Sequence, residues 1–383
     1  MIKKKFIIVG GGITGCIAAL HAKKKGFDVE IYEKFNQLGG ILKDDFKNDF
    51  FISGCQYLNT EAKWFKLIDD LNEDFVIFKA KYGSYTKLKN QIEIFSDYFQ
   101  GPVFPIDKIS TKSLSERNIY GSLLSRIQCY GHYIEKNIKL WLNKNVVDFE
   151  NLNYSSLIPL GLKRFSVNKN LDDLLEIKKK NQYIDELYGL SREKMGLDDL
   201  YQAIPSKGYT KFFLNLNNFL LKKGIIIKTN SLIKIKKNNN NFDIFNFNKK
   251  LNFDYVLWAA SPTPVIAKLE NKILDTKPIL VTNYCFKYNG NLPNFFIQVF
   301  DDKIFRVNCF SLKKNQQLVV ECFDDNLDPK KIINESKMLL KRFRINLLNK
   351  NTRFISKFLK KRYIVISNND YKTIQKFKKK KNR

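Results

Sequence analysis

Apolar and polar positions change period several times along the chain, and the earliest changes are the most informative. Phe6 to Val9 is an unbroken apolar run, suited to a strand buried on both faces. Ile17 to Lys25 repeats apolar positions at helical spacing, Gly26 stops it, and Val29 to Tyr32 is a second short apolar run closed by Glu33. Trp64, Phe65, Ile68 and Leu71 fall at helical spacing and predict a stripe facing a core. "DDLYQAIPSKGYTKFF" (198–213) reads as a turn that starts a helix. Pro205 cannot continue an element, Gly208 permits unusual dihedrals, and Thr210 is the expected N-cap before Phe212, Phe213, Leu216 and Leu220. Later, "KKGIIIKTNSLIKIKKNNNNFDIF" (222–245) reads as three strands with an Asn-rich hairpin tip at 238–241. "FDYVLWAASPTPV" (253–265) then reads as an apolar strand ending in Ala-Ala-Ser-Pro.

The first run becomes chemistry once its glycines are added. Gly10, Gly12 and Gly15 follow the strand as G-x-G-x-x-G and open the helix. One glycine serves a tight turn, one a close approach of backbone to a pyrophosphate, and one the packing of helix on strand. The helix N-terminus adds oriented N–H groups for an anion. Glu33, at the end of the second strand, can accept hydrogen bonds from a ribose diol. The complete order of strand, glycines, helix, strand and acid points to a dinucleotide bound by Gly10, Gly11, Gly12, Ile13, Thr14, Gly15, Glu33 and Lys34.

Composition limits the alternatives. A chain of 383 residues, 44% hydrophobic and 14% aromatic, can bury two or three packed domains and is not a disordered polymer. Net charge is +29, but the lysines are scattered without a patterned basic face, so a nucleic-acid partner is not expected. The concentrated exception is "KFKKKKNR" (376–383), read as a solvated basic tail offering at most a weak contact to acidic lipid. Six dispersed cysteines form no CxxC pair and suit a reducing compartment. Histidine occurs only at 21 and 132, leaving little material for a metal site or a Ser-His-Asp triad, and no metal is expected. No apolar stretch reaches 18 residues, so the expectation is a cytoplasmic protein without a transmembrane segment.

Gly39 and Gly40, shortly after Glu33, resemble the second glycine pair in the FAD site of glutathione-reductase-like flavoproteins. The resemblance implies FAD rather than NAD, with Gly39, Gly40 and Ile41 beside the pyrophosphate and flavin. It also implies that the backbone near Ile233 clasps the adenine and that the 253–265 strand completes the nucleotide sheet. The expected fold is α/β, with a discontinuous Rossmann-like FAD domain at 1–60 and 208–275. A mainly helical insert at 61–207, a mixed-sheet substrate region at 276–375 and the tail at 376–383 complete it.

Six further segments, taken in order, resemble the UDP-galactopyranose mutase branch of the amine-oxidase-like flavoproteins. They are "GCQYLNT" (54–60), "FPID" (104–107), "YIEKNIKLWLNKN" (133–145), "KRFSVN" (163–168), "YQAIPSKGYTKFF" (201–213) and "KIFRVNCF" (303–310). What this implies is isomerisation of a UDP-sugar ring through a flavin N5 adduct, without net redox change, for envelope polysaccharide. Arg306 and Arg164 match catalytic arginines, Tyr201 a diphosphate contact, and Trp141 the uridine region.

The pattern also departs from that family. Asn168 stands where a second arginine is expected, and Arg192 is the residue left to supply that charge. Gln56 and Asn59 replace histidines. The family's closing Gly-Arg-Leu and Tyr-x-Tyr-x-Asp stretches find no match, so truncation, another way of completing the site, and lost mutase activity stay open. Two other readings remain beside the mutase: an oxidoreductase of the amine-oxidase or protoporphyrinogen-oxidase type, and a degenerate FAD-binding relative.

Overall fold

The computed structural model describes residues 3–43, 57–79, 81–85, 94–95, 103–104, 109, 114–146, 148–162, 165–167, 171–188, 201–238, 241–299, 303–312, 315–323 and 326–381. The chain divides into two compact units, one of residues 1–77, 201–274 and 373–383, the other of residues 78–200 and 275–372.

In the first unit Lys5–Val9 (β1), Ile13–Lys24 (α1) and Asp28–Tyr32 (β2) form in the order the apolar runs predict. β1 pairs in parallel with β2 on one side and with Tyr255–Trp258 on the other, and Ile226–Lys228 lies beyond β2. The returning strand therefore does complete the parallel sheet. Ile7, Ile8, Val29 and Ile31 are wholly inaccessible, which is why these strands read as continuous apolar runs rather than alternating ones. Beside this sheet, Ile233–Asn238, Asn241–Asn246 and Lys249–Leu251 form an antiparallel sheet, with the hairpin tip where the asparagines predicted it.

One buried acid ties three of the parallel strands. Glu30 of β2 pairs with Lys5 at 2.6 Å and Lys228 at 2.8 Å, and accepts from the Tyr32 hydroxyl at 2.5 Å. Burial alone pushes this carboxyl up, but the hydrogen bonds from Lys228, Lys5 and Tyr32 outweigh it and bring it from 4.5 to about 2. The folded value lies below the unfolded one, so the stabilisation is full above about pH 4.5 and fades as pH falls toward 2. Denaturation midpoints should therefore fall more steeply across that window in the wild type than in Glu30→Gln. Parallel slopes would exclude Glu30 as the titrating group.

Two local expectations are corrected. Gln202–Pro205 is a strand, all four residues buried, paired with Leu58–Asn59, so this part of "YQAIPSKGYTKFF" is not a turn. The following helix, Gly208–Lys222, starts at Gly208 after Lys207, and Thr210 sits inside its first turn rather than capping it. Gly208, at φ 87°, makes the change of direction that a side-chain cap was expected to mark. The Trp64–Leu71 stripe is also not an α-helix: Phe65–Leu71 is a 3₁₀ helix in which only Ile68 is buried. Three residues per turn still align Phe65, Ile68 and Leu71 on one face, and Phe65 there meets Phe75, which meets Phe212.

The second unit is built on a seven-stranded mixed sheet. Its strand order is Thr352–Val365, Lys277–Tyr288, Asn315–Cys322, Ile304–Leu312, Phe295–Val299, Lys81–Tyr85 and Ile94–Phe95. Alternate side chains divide between its faces. Tyr284, Phe286, Val307, Leu318 and Val320 pack with Ile332, Leu339 and Leu340 of helix Pro329–Arg342. On the other face Ile279, Val281 and Phe305 join a core with Ile138, Trp141 and Leu142 of helix His132–Asn145.

At the basic C-terminus, residues 368–381 are helical. Ser367 starts the helix by accepting from the Asp370 N–H, and the lysines that follow are good helix formers. Among the described residues no helix is long and apolar enough to cross a membrane.

Candidate nucleotide site

The turn between β1 and α1 is closed on three sides by backbone. Gly10, at φ 109°, donates its N–H to the Tyr32 carbonyl at 2.8 Å. A Cβ there would come within 2.9 Å of the Ala260 N. The loop after the returning strand thus presses directly on the turn. A Cβ on Gly15 would overlap the Gly10 carbonyl oxygen, so the first turn of α1 can sit this close to the strand end only with glycine. Gly12 differs from these two: the space beside it is open apart from the Gly40 Cα at 4.0 Å. No side chain caps α1 at Gly12. Open backbone at an uncapped helix start leaves N–H groups oriented toward an anion.

The second glycine pair lies against the first. Gly39 donates to the Gly11 carbonyl at 2.9 Å, forms a bridge with Gly12, and adopts φ 138°. A Cβ on Gly40 would lie 3.2 Å from the Gly12 Cα. Glu33 is buried, and its carboxylate accepts from the Gly11 N–H at 2.6 Å and the Phe35 N–H at 3.0 Å. It thereby holds the glycine turn to the end of β2. Cys16 packs beneath with its thiol 3.5 Å from the Gly11 carbonyl. Burial, with a smaller contribution from the Glu33 charge, pushes that thiol up to about 12, as expected of a packed rather than reactive cysteine.

The expected nucleotide residues are thus largely brought together: Gly10, Gly11, Gly12, Gly15, Glu33, Gly39 and Gly40 form one cradle, with Ile13 and Thr14 opening α1. Lys34 is exposed and lies over the Phe35 ring, and Ile41 is 73% exposed. Ile233 begins the first strand of the antiparallel sheet and packs on the Ile7, Val9 and Tyr32 cluster. Tyr201 is exposed, and its carbonyl accepts from both the N–H and the hydroxyl of Thr60. Trp141 and Arg306 belong to the second unit. Trp141 is buried, stacked on Phe305 and edge-on to Phe323. The Arg306 guanidinium lies 4.3 Å from the Phe305 centroid and 3.6 Å from the Glu321 carboxylate. Arg164, Arg192, Asn168 and Gln56 lie outside the described residues.

Sequence reasoning missed three contributors. Ala259 donates to the Val9 carbonyl at 2.8 Å, Ser231 to the Glu33 carbonyl at 2.8 Å, and Asn230, at φ 51°, to the Phe35 carbonyl at 2.9 Å. The small pair after the apolar strand and the Thr-Asn-Ser turn were the available signals. A cavity of about 950 Å³ runs along the outer face of α1, from Ile13 past Ile17 to Trp64 and Leu67.

Comparison with known proteins fits this geometry. Residues 8–71 match the family described as NAD(P)-binding Rossmann-like domain. The first unit contains a Rossmann-like nucleotide site. Among curated proteins, the chain is 27% identical over 154 residues to a probable flavin-containing monoamine oxidase A of Dictyostelium discoideum, covering 37% of this chain and 32% of that protein. It is 50% identical over 40 residues to a 4,4'-diaponeurosporene oxygenase of Staphylococcus haemolyticus, covering 10% of this chain and 8% of that one. The matches thus span a third or less of these curated relatives. Among solved structures, a reduced UDP-galactopyranose mutase superposes with TM-score 0.58 at 13% identity, covering 95% of this chain and 83% of that one. Cyclohexylamine oxidase from Brevibacterium oxydans gives TM-score 0.58 at 11% identity, covering 97% and 90%. At these identities the likeness is one of fold.

Proposed function

We propose that the protein is a flavoenzyme that holds FAD in this cradle and isomerises the ring of a nucleotide-diphosphate sugar, as a UDP-galactopyranose mutase does. The observation that carries the cofactor assignment is the seating of Gly39-Gly40 on Gly12. This second backbone surface extends the cradle beyond what one G-x-G-x-x-G turn supplies. The uncapped start of α1 would take the pyrophosphate, and Glu33 would exchange one backbone partner for a ribose hydroxyl. When bound, FAD supplies the reactive flavin ring. The mutase reading is supported by the sequence segments from 54 to 310.

A second reading, an amine-oxidase-type oxidoreductase, draws on the curated relatives and on Arg306. The Glu321 carboxylate already neutralises a guanidinium that the mutase reading would give to a diphosphate. The two readings separate in one assay. Dithionite-reduced protein should interconvert UDP-galactopyranose and UDP-galactofuranose with no oxygen consumed. Oxygen-dependent turnover of an amine, with no ring interconversion, would replace the mutase by the oxidase.

A further inference from the structure

The cavity of about 950 Å³ beside α1 is a separate surface from the nucleotide cradle: neither the Gly10 to Gly12 turn nor Gly39-Gly40 lines it. Its size lies within the roughly 300–1,000 Å³ of small-molecule sites. One wall is α1 itself. Cys16, Ala19 and Leu20 of that helix are buried, yet Ile17 and Ala18, which line the cavity, are apolar too and only half-buried. A helix apolar on both sides ordinarily packs between two layers. The facing wall is Trp64 and Leu67, at the 3₁₀ helix that packs against α1, and both are half-buried.

The charges around this cleft are of one sign. His21, Lys24, Lys25 and Lys63 line it, all exposed, and among the described residues no acidic side chain does. Among the described residues none of these four side chains forms an ion pair. Lys24 and Lys25 stand at the end of α1, about 16 Å from Ile13 at the helical rise. Thr14, at the start of α1, is the one uncharged hydroxyl or amide side chain among the described lining residues. A sugar or a nucleotide base would therefore bury polar groups that the cleft could not satisfy. The ligand that fits is apolar along its length and anionic at one end. The apolar surface is recessed between two elements rather than protruding, so it admits a single chain and not the face of a bilayer.

We propose that this cleft binds a free long-chain carboxylate, its hydrocarbon chain along Ile17, Ala18 and Leu67 and its head group held by Lys24 and Lys25. The chain and the nucleotide occupy different surfaces, so neither displaces the other.

Calorimetric titration of the purified protein with octanoate, decanoate and dodecanoate, below their micelle concentrations, tests this. Covering one side of the chain should tighten binding about fourfold for each added pair of methylenes, half the free energy of full burial. Dodecanol, which lacks the charge, should bind about tenfold more weakly than dodecanoate. The double variant Lys24→Gln with Lys25→Gln should bring dodecanoate down to the level of dodecanol. Ala18→Leu, which fills the cleft with a good helix former, should weaken acid and alcohol alike. Should Ala18→Leu fail to fold, the lysine variant still decides, because both lysines are exposed. Affinity independent of chain length, or dodecanoate binding undiminished in the lysine variant, would overturn the proposal. So would release of bound flavin by dodecanoate, which would put the chain in the nucleotide cradle. Attachment to phosphatidylglycerol vesicles without uptake of the free acids would overturn it too, and would make this face a membrane contact.

Discussion

Gly15→Val should yield a protein without bound flavin and with its first unit markedly destabilised. The new side chain would overlap the Gly10 carbonyl, which belongs to the same turn whose N–H is fixed to Tyr32 at 2.8 Å. Backbone cannot yield here as a side chain can, because the Ala260 backbone backs the same turn, so near that a Cβ on Gly10 would come within 2.9 Å of its N. The destabilisation should reach about 3 kcal/mol, the upper end for overpacking. A control, Gly26→Asn, alters a glycine at φ 87° whose Cβ would meet nothing within 4 Å and should keep the flavin. Denaturation midpoints and the flavin-to-protein absorbance ratio measure both effects. A flavin-loaded Gly15→Val would mean that the turn is not the pyrophosphate site.

Arg306→Ala should act on stability before it acts on catalysis. The substitution leaves Glu321, which is completely buried, without its cation, and removes a guanidinium lying between Phe305 and Phe296. Breaking a buried pair on one side typically costs about 3–5 kcal/mol, whereas replacing both partners by apolar residues is often neutral. The double variant Arg306→Met with Glu321→Leu should therefore recover most of the loss. If Arg306→Ala is instead as stable as the wild type and only raises KM for a diphosphate ligand, Arg306 is a substrate-contacting residue, as its strand's resemblance implied.

The contrast between these residues shows what the sequence made legible. The nucleotide cradle was readable because each glycine answers a local demand that only glycine meets, and because β1, α1 and β2 are contiguous. The apolar run marked Tyr255–Trp258 as a strand, but its pairing with β1 followed only from the flavoprotein resemblance. Arg306 was readable as a residue but not as a member of an ion pair, because Glu321 becomes its neighbour only through strand register. The errors were local. Thr210 looks like a cap by composition, but pairing of Gln202–Pro205 with Leu58–Asn59 delivered the chain to Gly208 instead. The Trp64 to Leu71 spacing fits both 3.6 and 3.0 residues per turn over so short a stretch.

The proposed activity depends on the cradle holding a flavin. The most direct measurement is the visible absorption spectrum of the purified wild-type protein, taken as isolated and after incubation with FAD and removal of the excess. The cradle of Gly10, Gly12, Glu33 and Gly39-Gly40 predicts protein-bound flavin absorbance that approaches one FAD per chain and is abolished by Gly15→Val. A protein that stays colourless after incubation with FAD, while remaining folded, would contradict it.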